Sequence, residues 1–181
     1  MGEGADTGFD GDYEGFNIKT QSNGGRARVR GFEVAYQQRF TFLPGWWSGF
    51  GADANCTRLH TQGDYGSTTV RSTKEIAVFT PNTANIGSSY IKGGHSVRLQ
   101  FNYIGRFLMA FSATQALLQD QVARPLLDIK NVFRINRQFD AYLEVWNVFS
   151  NPTEQTEFFG GRSSTMSKIN FMLHGGVRWR M

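Results

Sequence analysis

Cysteine, proline, long apolar runs and helical periodicity are all scarce in this 181-residue chain. A single cysteine, Cys56, excludes an internal disulfide framework and any cysteine-rich zinc site. Four prolines against 21 glycines leave the turns to glycine. No stretch approaches the roughly 20 uninterrupted apolar residues of a membrane-spanning helix. That excludes an α-helical membrane protein but not a β-barrel, whose alternating strands keep mean hydropathy low. The opening MGEGADTGFDGDYEG lacks the basic and apolar regions of a signal peptide. Acidic residues are scarce after the first 18 positions, which hold Glu3, Asp6, Asp10, Asp12 and Glu14 and no Lys or Arg. The rest of the chain carries 19 basic against 10 acidic residues, a net of +9. Fourteen of the basic residues are Arg, but they are scattered along the chain, which argues against nucleic acid as a partner.

Aromatic residues and alternation are abundant. Aromatics make up 14% of the chain, with 16 Phe, a composition suited to strands and unlike disorder. Phe32, Val34, Tyr36, Phe40 and Phe42 alternate with Glu33, Ala35, Gln37, Arg39 and Thr41. The same period of two sets Val97, Leu99, Phe101 and Tyr103 against Ser96, Arg98, Gln100 and Asn102. It sets Phe139, Ala141, Leu143 and Val145 against Asp140, Tyr142, Glu144 and Trp146. It recurs at the end of the chain, where Ile169, Phe171, Leu173, Val177 and Trp179 face away from Lys168, Asn170, His174, Arg178 and Arg180. Each pattern is a strand with one apolar and one charged face. Weaker strands are predicted near 13–22, 49–60, 83–92 and 125–135, about eight in all. Ala113–Val122 is the one short segment with a helical period.

The connections alternate in length. Leu43–Ser48, Gly93-Gly94 and Asn136-Arg137 predict tight turns, whereas 61–82, 112–124 and 150–167 predict long loops. Short turns at one end and long loops at the other is the outer-membrane barrel pattern. The short hairpin at Asn23-Gly24-Gly25 departs from it, and is read as strands running on past the membrane. Alternation alone does not say which face is inside: a soluble ligand-carrying barrel turns its apolar face inward and a membrane barrel reverses this. Three features favour the reversal. The strands suit a tilted span of roughly 9–11 residues. The polar faces mix signs, with Arg39, Arg98, Arg134 and Arg178 among acids. Aromatics (Trp46, Trp47, Tyr103, Phe107, Phe149, Trp179) gather at strand ends, as in an interfacial girdle. The fold expected is therefore all-β, an antiparallel transmembrane barrel segment. Eight strands could close by themselves or form one arc of a wider barrel.

Asn23–Gln38 (NGGRARVRGFEVAYQQ), followed by Phe42-Leu43-Pro44-Gly45, resembles the late barrel strands of TonB-dependent outer-membrane receptors. Thr80–Asn85 (TPNTAN) is similar to the strand that follows a long extracellular loop in that family. The Leu126–Asn151 stretch, with its Asn147–Asn151 exit, resembles the penultimate hairpin, and Lys168–Met181 takes the place of the final strand. The likeness covers about residues 13–181, after an acidic loop segment at 1–12. The resemblance implies the C-terminal third of a barrel of about 22 strands. It also implies a Gram-negative outer-membrane location, and energised uptake of a scarce bulky nutrient such as a siderophore, cobalamin or glycan. The partners implied are the lipid bilayer, a plug domain, the remaining barrel strands, indirectly the TonB system, and the nutrient. No enzyme activity or cofactor is expected. Two other readings stay open: a free-standing eight-stranded outer-membrane barrel with a structural or adhesive role, whose first and last strands would pair, and a soluble barrel for an apolar ligand.

Candidate sites are few. Gly63–Gly66 and Phe158–Arg162 lie in long loops, where Asp64, Tyr65, Arg71, Phe158 and Arg162 could face a ligand by stacking or ion pairing. Asp10–Gly15 imitates the start of a calcium loop, but position 12 is Gln21 and a solvated acidic loop is the plainer reading. His60, His95 and His174 are far apart, with no second ligand at i+4. There is no GxSxG elbow. Cys56 reads as a small packed residue beside Ala52 and Ala54.

Overall fold

The computed structural model describes residues 25–64, 75–112, 114–157 and 162–180. Among these residues the chain is all-β, with no α-helix. Seven strands pair in sequence order into one antiparallel sheet. They are β1 (Ala27–Arg39), β2 (Phe50–Gly63), β3 (Asn82–Lys92), β4 (His95–Ile104), β7 (Arg124–Arg134), β8 (Phe139–Trp146) and β11 (Met172–Trp179). Four shorter strands, β5 (Phe107–Ala110), β6 (Gln119–Gln121), β9 (Thr153–Glu157) and β10 (Ser163–Ser167), form a second antiparallel sheet in the order β5-β6-β9-β10.

Each short strand prolongs a long one. β5 follows β4 across Gly105-Arg106, β6 runs into β7, β9 follows β8, and β10 runs into β11. The small sheet is thus an extension of the β4-β7-β8-β11 part of the large sheet, on the side away from the short turns. Much of what reads in sequence as long loops at 112–124 and 150–167 is therefore paired strand. The helical period at Ala113–Val122 is overridden as well: a single 3-10 turn (Gln115–Leu117) leads into β6. A segment this short has little helix stability of its own, and pairing of β6 with β5 and β9 takes over.

Local chemistry sets the short turns. Gly93 and Gly94 both take positive φ (62° and 84°), joining β3 to β4 in a two-residue hairpin that only glycine adopts without strain. Between β7 and β8 the Asn136 side-chain oxygen accepts from the Gln138 and Phe139 amides at 2.8 and 2.9 Å, an Asx-type turn. The β1–β2 connection, residues 40–49, is longer than a tight turn and is compacted by a 3-10 turn at Gly45–Gly49. Trp46 and Trp47 stack there at 3.9 Å, and Phe50 packs on Tyr90 at 4.8 Å.

The sheet is a single layer. Leu108 and Leu118 are its buried large hydrophobics among the described residues, and 13033 Å² of surface is accessible. A compact monomer of this mass would expose about 8,800 Å². β1 and β11 are the two edges and do not pair with each other, so the sheet does not close into a barrel among the described residues. Seven strands fall short of the roughly eight of the narrowest outer-membrane barrels. The strand expected near 13–22, and with it the test of whether first and last strands pair, lies outside the described residues.

Candidate functional site on the charged face

Continuous register across the large sheet sorts its side chains into two faces, because directly paired residues point the same way. One face runs from Phe32, Val34 and Tyr36 on β1 through Ala52, Ala54 and Cys56 on β2 to Ala84 and Ile86 on β3. It continues through Leu99 and Phe101, Leu127 and Ile129, then Leu143 and Val145, to Leu173 and Val177. Arg58, in the row of Phe32, and Lys92, in the row of Val177, stand at its two ends, and no Asp, Glu, Lys or Arg lies in the rows between. Its polar members are few: the Asn131 side-chain oxygen lies 3.1 Å from His95 Nε2 at the band's border. Cys56 lies in the band with Ala52 and Ala54 as the alternation implies, but it is exposed, not packed.

The opposite face carries the charges, and it is the more shielded one. Asp140 is 2% exposed, whereas Leu173 and Val177 are each 65% exposed. Thr61, Gly87 and Asp140 are buried on this side, Asp140 beneath the guanidinium groups of Arg180 and Arg134, whereas no residue of the apolar band is buried. This inverts the pattern of a water-soluble sheet, whose apolar side is the enclosed one.

The charges on the shielded face form a connected ladder. Asp53 on β2 accepts from Arg98 of β4 with both carboxylate oxygens at 3.2 Å, and Arg98 also donates to Gln100 at 2.9 Å. The bridge passes over β3 because residue 87 is glycine: a Cβ there would stand 2.4 Å from the Asp53 carboxylate. Arg98 and Lys130 are register partners of like charge, and Lys130 is taken by its other neighbour, Glu144. Asp140 is held by Arg180, and Arg134 lies 3.8 Å away. Arg178 sits over the Tyr142 ring at 5.7 Å, and His174 lies beside Tyr142 at 5.4 Å. Hollows of about 270 Å³ (Gln37, Asp53, Ser89, Arg98, Lys130) and about 340 Å³ (His95, Arg134, Asp140, Arg178, Arg180) open on this face.

Two polar clusters mark where the large sheet gives way to the small one. In the first, Arg106 donates to Asp120 at 2.7 Å and to Glu75 at 3.4 Å. Burial by itself would lower the Arg106 guanidinium, but the Asp120 hydrogen bond and charge, with Glu75 behind them, raise it above its ordinary value. The second is the Asn147–Asn151 exit. Asn147 adopts φ +53° and its amide donates to Asp128 at 2.8 Å. Its side chain donates to the Ile169 carbonyl at 2.7 Å and accepts from the Asn151 amide at 3.2 Å, while Asn151 reaches the Pro125 carbonyl at 2.7 Å. Three strands are stitched together at one bulge.

Of the loop residues expected to face a ligand, Tyr65, Arg71 and Phe158 lie outside the described residues, as does the Asp10–Gly15 motif. Asp64 closes the β1–β2 tip, its amide donating to the Arg26 carbonyl at 2.9 Å. Arg162 is paired with Glu157 at 3.2 Å across the β9–β10 tip. The two tips share the loop end of the sheet but are separated in strand order, so the structure does not gather Asp64 and Arg162 into one site. The sequence reading did not anticipate the Gly87 bridge or the Arg106–Asp120–Glu75 cluster. Only the lone glycine in a β3 otherwise built from side-chain-bearing residues hints at the first. Among the described residues no group of three metal-ligating side chains converges, and no helix is long and apolar enough to cross a membrane.

Comparison with family models, curated proteins and solved structures gives no match for the chain.

Proposed function

We infer that this chain forms part of the wall of an outer-membrane β-barrel, in which the uncharged face meets lipid and the charged ladder faces the lumen. The observation that carries this reading is the segregation itself: an uncharged, exposed band across seven strands, with the acids and bases paired on the shielded side. On β7 the band runs from Pro125 to Phe133, eight residue steps. That is about 27 Å of strand, or about 21 Å of height at a tilt near 40°, close to the roughly 25 Å apolar band of such barrels. The aromatics Trp46, Trp47, Phe50, Tyr90, Phe133, Phe139 and Trp179 collect at the short-turn end of this band, as an interfacial girdle would. The small sheet, with Gln119, Asp120, Gln121, Glu154 and Glu157, is too polar for hydrocarbon and stands beyond it.

Within that frame, the likeness of the Asn23–Gln38, Thr80–Asn85 and Leu126–Asn151 stretches to TonB-dependent receptors supplies the specific proposal. The chain contributes barrel wall and outer loops to a receptor that takes up a bulky scarce nutrient. Its inner ladder would meet a plug, and its open edges would meet further strands. The test is fractionation of the native organism combined with deletion of the coding region. The protein is expected in the outer-membrane fraction, and the deletion is expected to lower uptake of one nutrient among ferric siderophores, cobalamin and glycans. Recovery in the soluble fraction would overturn the membrane reading. Correct localisation with unchanged uptake of every nutrient would overturn the receptor reading alone.

A further inference from the structure

The arginines on the lipid-facing side are confined to one place; the lysine of that face, Lys92, lies at the short-turn end, where it donates to the Gly45 carbonyl and the Ser48 hydroxyl. Parity puts Arg28 and Arg30 of β1 on the same face as Phe32, Val34 and Tyr36, and puts Arg58 and His60 of β2 on the same face as Ala54 and Cys56. The register sets Arg30 opposite His60 and Phe32 opposite Arg58, so Arg30 and Arg58 are diagonal neighbours, about 7–8 Å apart at the backbone. All four side chains are exposed. None of the three arginines makes an ion pair among the described residues. One step further out, Arg26 and Asp64 face each other with opposite charges and add nothing net. The direct cross-strand partners of Arg28, Arg30 and Arg58 are Gln62, His60 and Phe32, so no acid meets the three guanidinium groups across the ladder while their like charges gather within one diagonal step.

The position of this cluster identifies the anion. It sits directly above the uncharged band, at the loop end, where a lipid headgroup would lie if the band meets acyl chains. In the row of Arg58 the same face carries the neutral Asn82 on β3, and on β4 and β7 it ends one row lower in Tyr103 and Pro125, also uncharged. We propose that Arg28, Arg30 and Arg58 form a binding surface for phosphate-bearing lipid headgroups in the leaflet on the loop side. This proposal rests on the lipid-facing reading of the apolar band. Guanidinium groups suit it because their planar donors engage phosphate oxygens in pairs.

The test places the full chain in phosphatidylcholine vesicles with trace spin-labelled phosphatidic acid or spin-labelled phosphatidylcholine, and reads the motionally restricted fraction of each label. The wild-type chain is expected to prefer phosphatidic acid by at least about threefold, in keeping with the attraction of each basic side chain for an anionic surface. The variant Arg28→Gln/Arg30→Gln/Arg58→Gln should lose that preference while restricting as much phosphatidylcholine as before, which shows that it still inserts. Equal preference in wild type and variant overturns the proposal and leaves the lipid-facing reading standing. No preference for phosphatidic acid in the wild-type chain, together with inorganic-phosphate binding that the triple variant loses, would identify a site for free phosphate and overturn it too. No restricted lipid of either kind would overturn the lipid-facing reading itself, and the proposal with it.

Discussion

Single residues on the two faces have opposite tolerances. Leu143 is 48% exposed at the middle of β8, so in water a charge there would be nearly neutral, within about 0.5 kcal/mol. Against hydrocarbon, Leu143→Arg should cost about 2–4 kcal/mol, read as a lowered urea midpoint of the chain folded in bilayers. On the inner face, Gly87→Ala would push the Asp53 carboxylate off Arg98 and leave Arg98 facing Lys130. The pair is partly exposed, so the loss should be about 1 kcal/mol or less. In an Asp53→Ala background the same substitution should cost much less, and a double-mutant cycle in urea measures the difference. Equal cost in both backgrounds would mean that Gly87 serves something other than the bridge.

At the scale of elements, alternation made the strands legible where one face is apolar. β1, β4, β8 and β11 were evident because Phe, Val, Leu and Ile recur every second position, and β2, β3 and β7 read as weaker strands. β6 (Gln119–Gln121), β9 (Thr153–Glu157) and β10 (Ser163–Ser167) were not, because both of their faces are polar and a period of two has no contrast to act on. For the same reason the last strand was expected to run unbroken from Lys168. In the structure, residues 168–171 instead leave the ladder where the Asn147–Asn151 bulge intrudes. The bulge's role was invisible because it depends on carbonyls from other strands. Asn147→Ala removes the donors to Ile169 and Asn151 and leaves a non-asparagine residue at φ +53°. The expected loss is about 2–3 kcal/mol, together with faster proteolysis within 147–171, measured by timed digestion of the folded chain.

Among the described residues the large sheet has two unpaired edges, β1 and β11, and no second layer. In water such a sheet leaves its apolar band exposed, and in lipid its edge amides and carbonyls lack partners, at several kcal/mol each. The account therefore predicts that the chain refolded alone in detergent micelles gives β-rich oligomers and no heat-sensitive monomer band on a gel. A compact monomer band that shifts on boiling would mean instead that the strands close by themselves. Alternation is identical for a soluble and a membrane barrel, so in sequence the sense of the faces rests on strand length, mixed charge and end aromatics. The shielding of Asp140 against the exposure of Val177 supplies a direction that no single strand carries.

The central claim, that the uncharged face meets lipid and the charged face does not, is tested most directly along β8. In a Cys56→Ser background, single cysteines at positions 140 to 145 would each carry an environment-sensitive fluorophore, with the chain in phosphatidylcholine vesicles. The account predicts an alternation of period two: labels at 141, 143 and 145 quenched by a lipid-soluble quencher, and labels at 140, 142 and 144 quenched by iodide or shielded from both. A uniform response along the strand, or an alternation of the opposite phase, would contradict it.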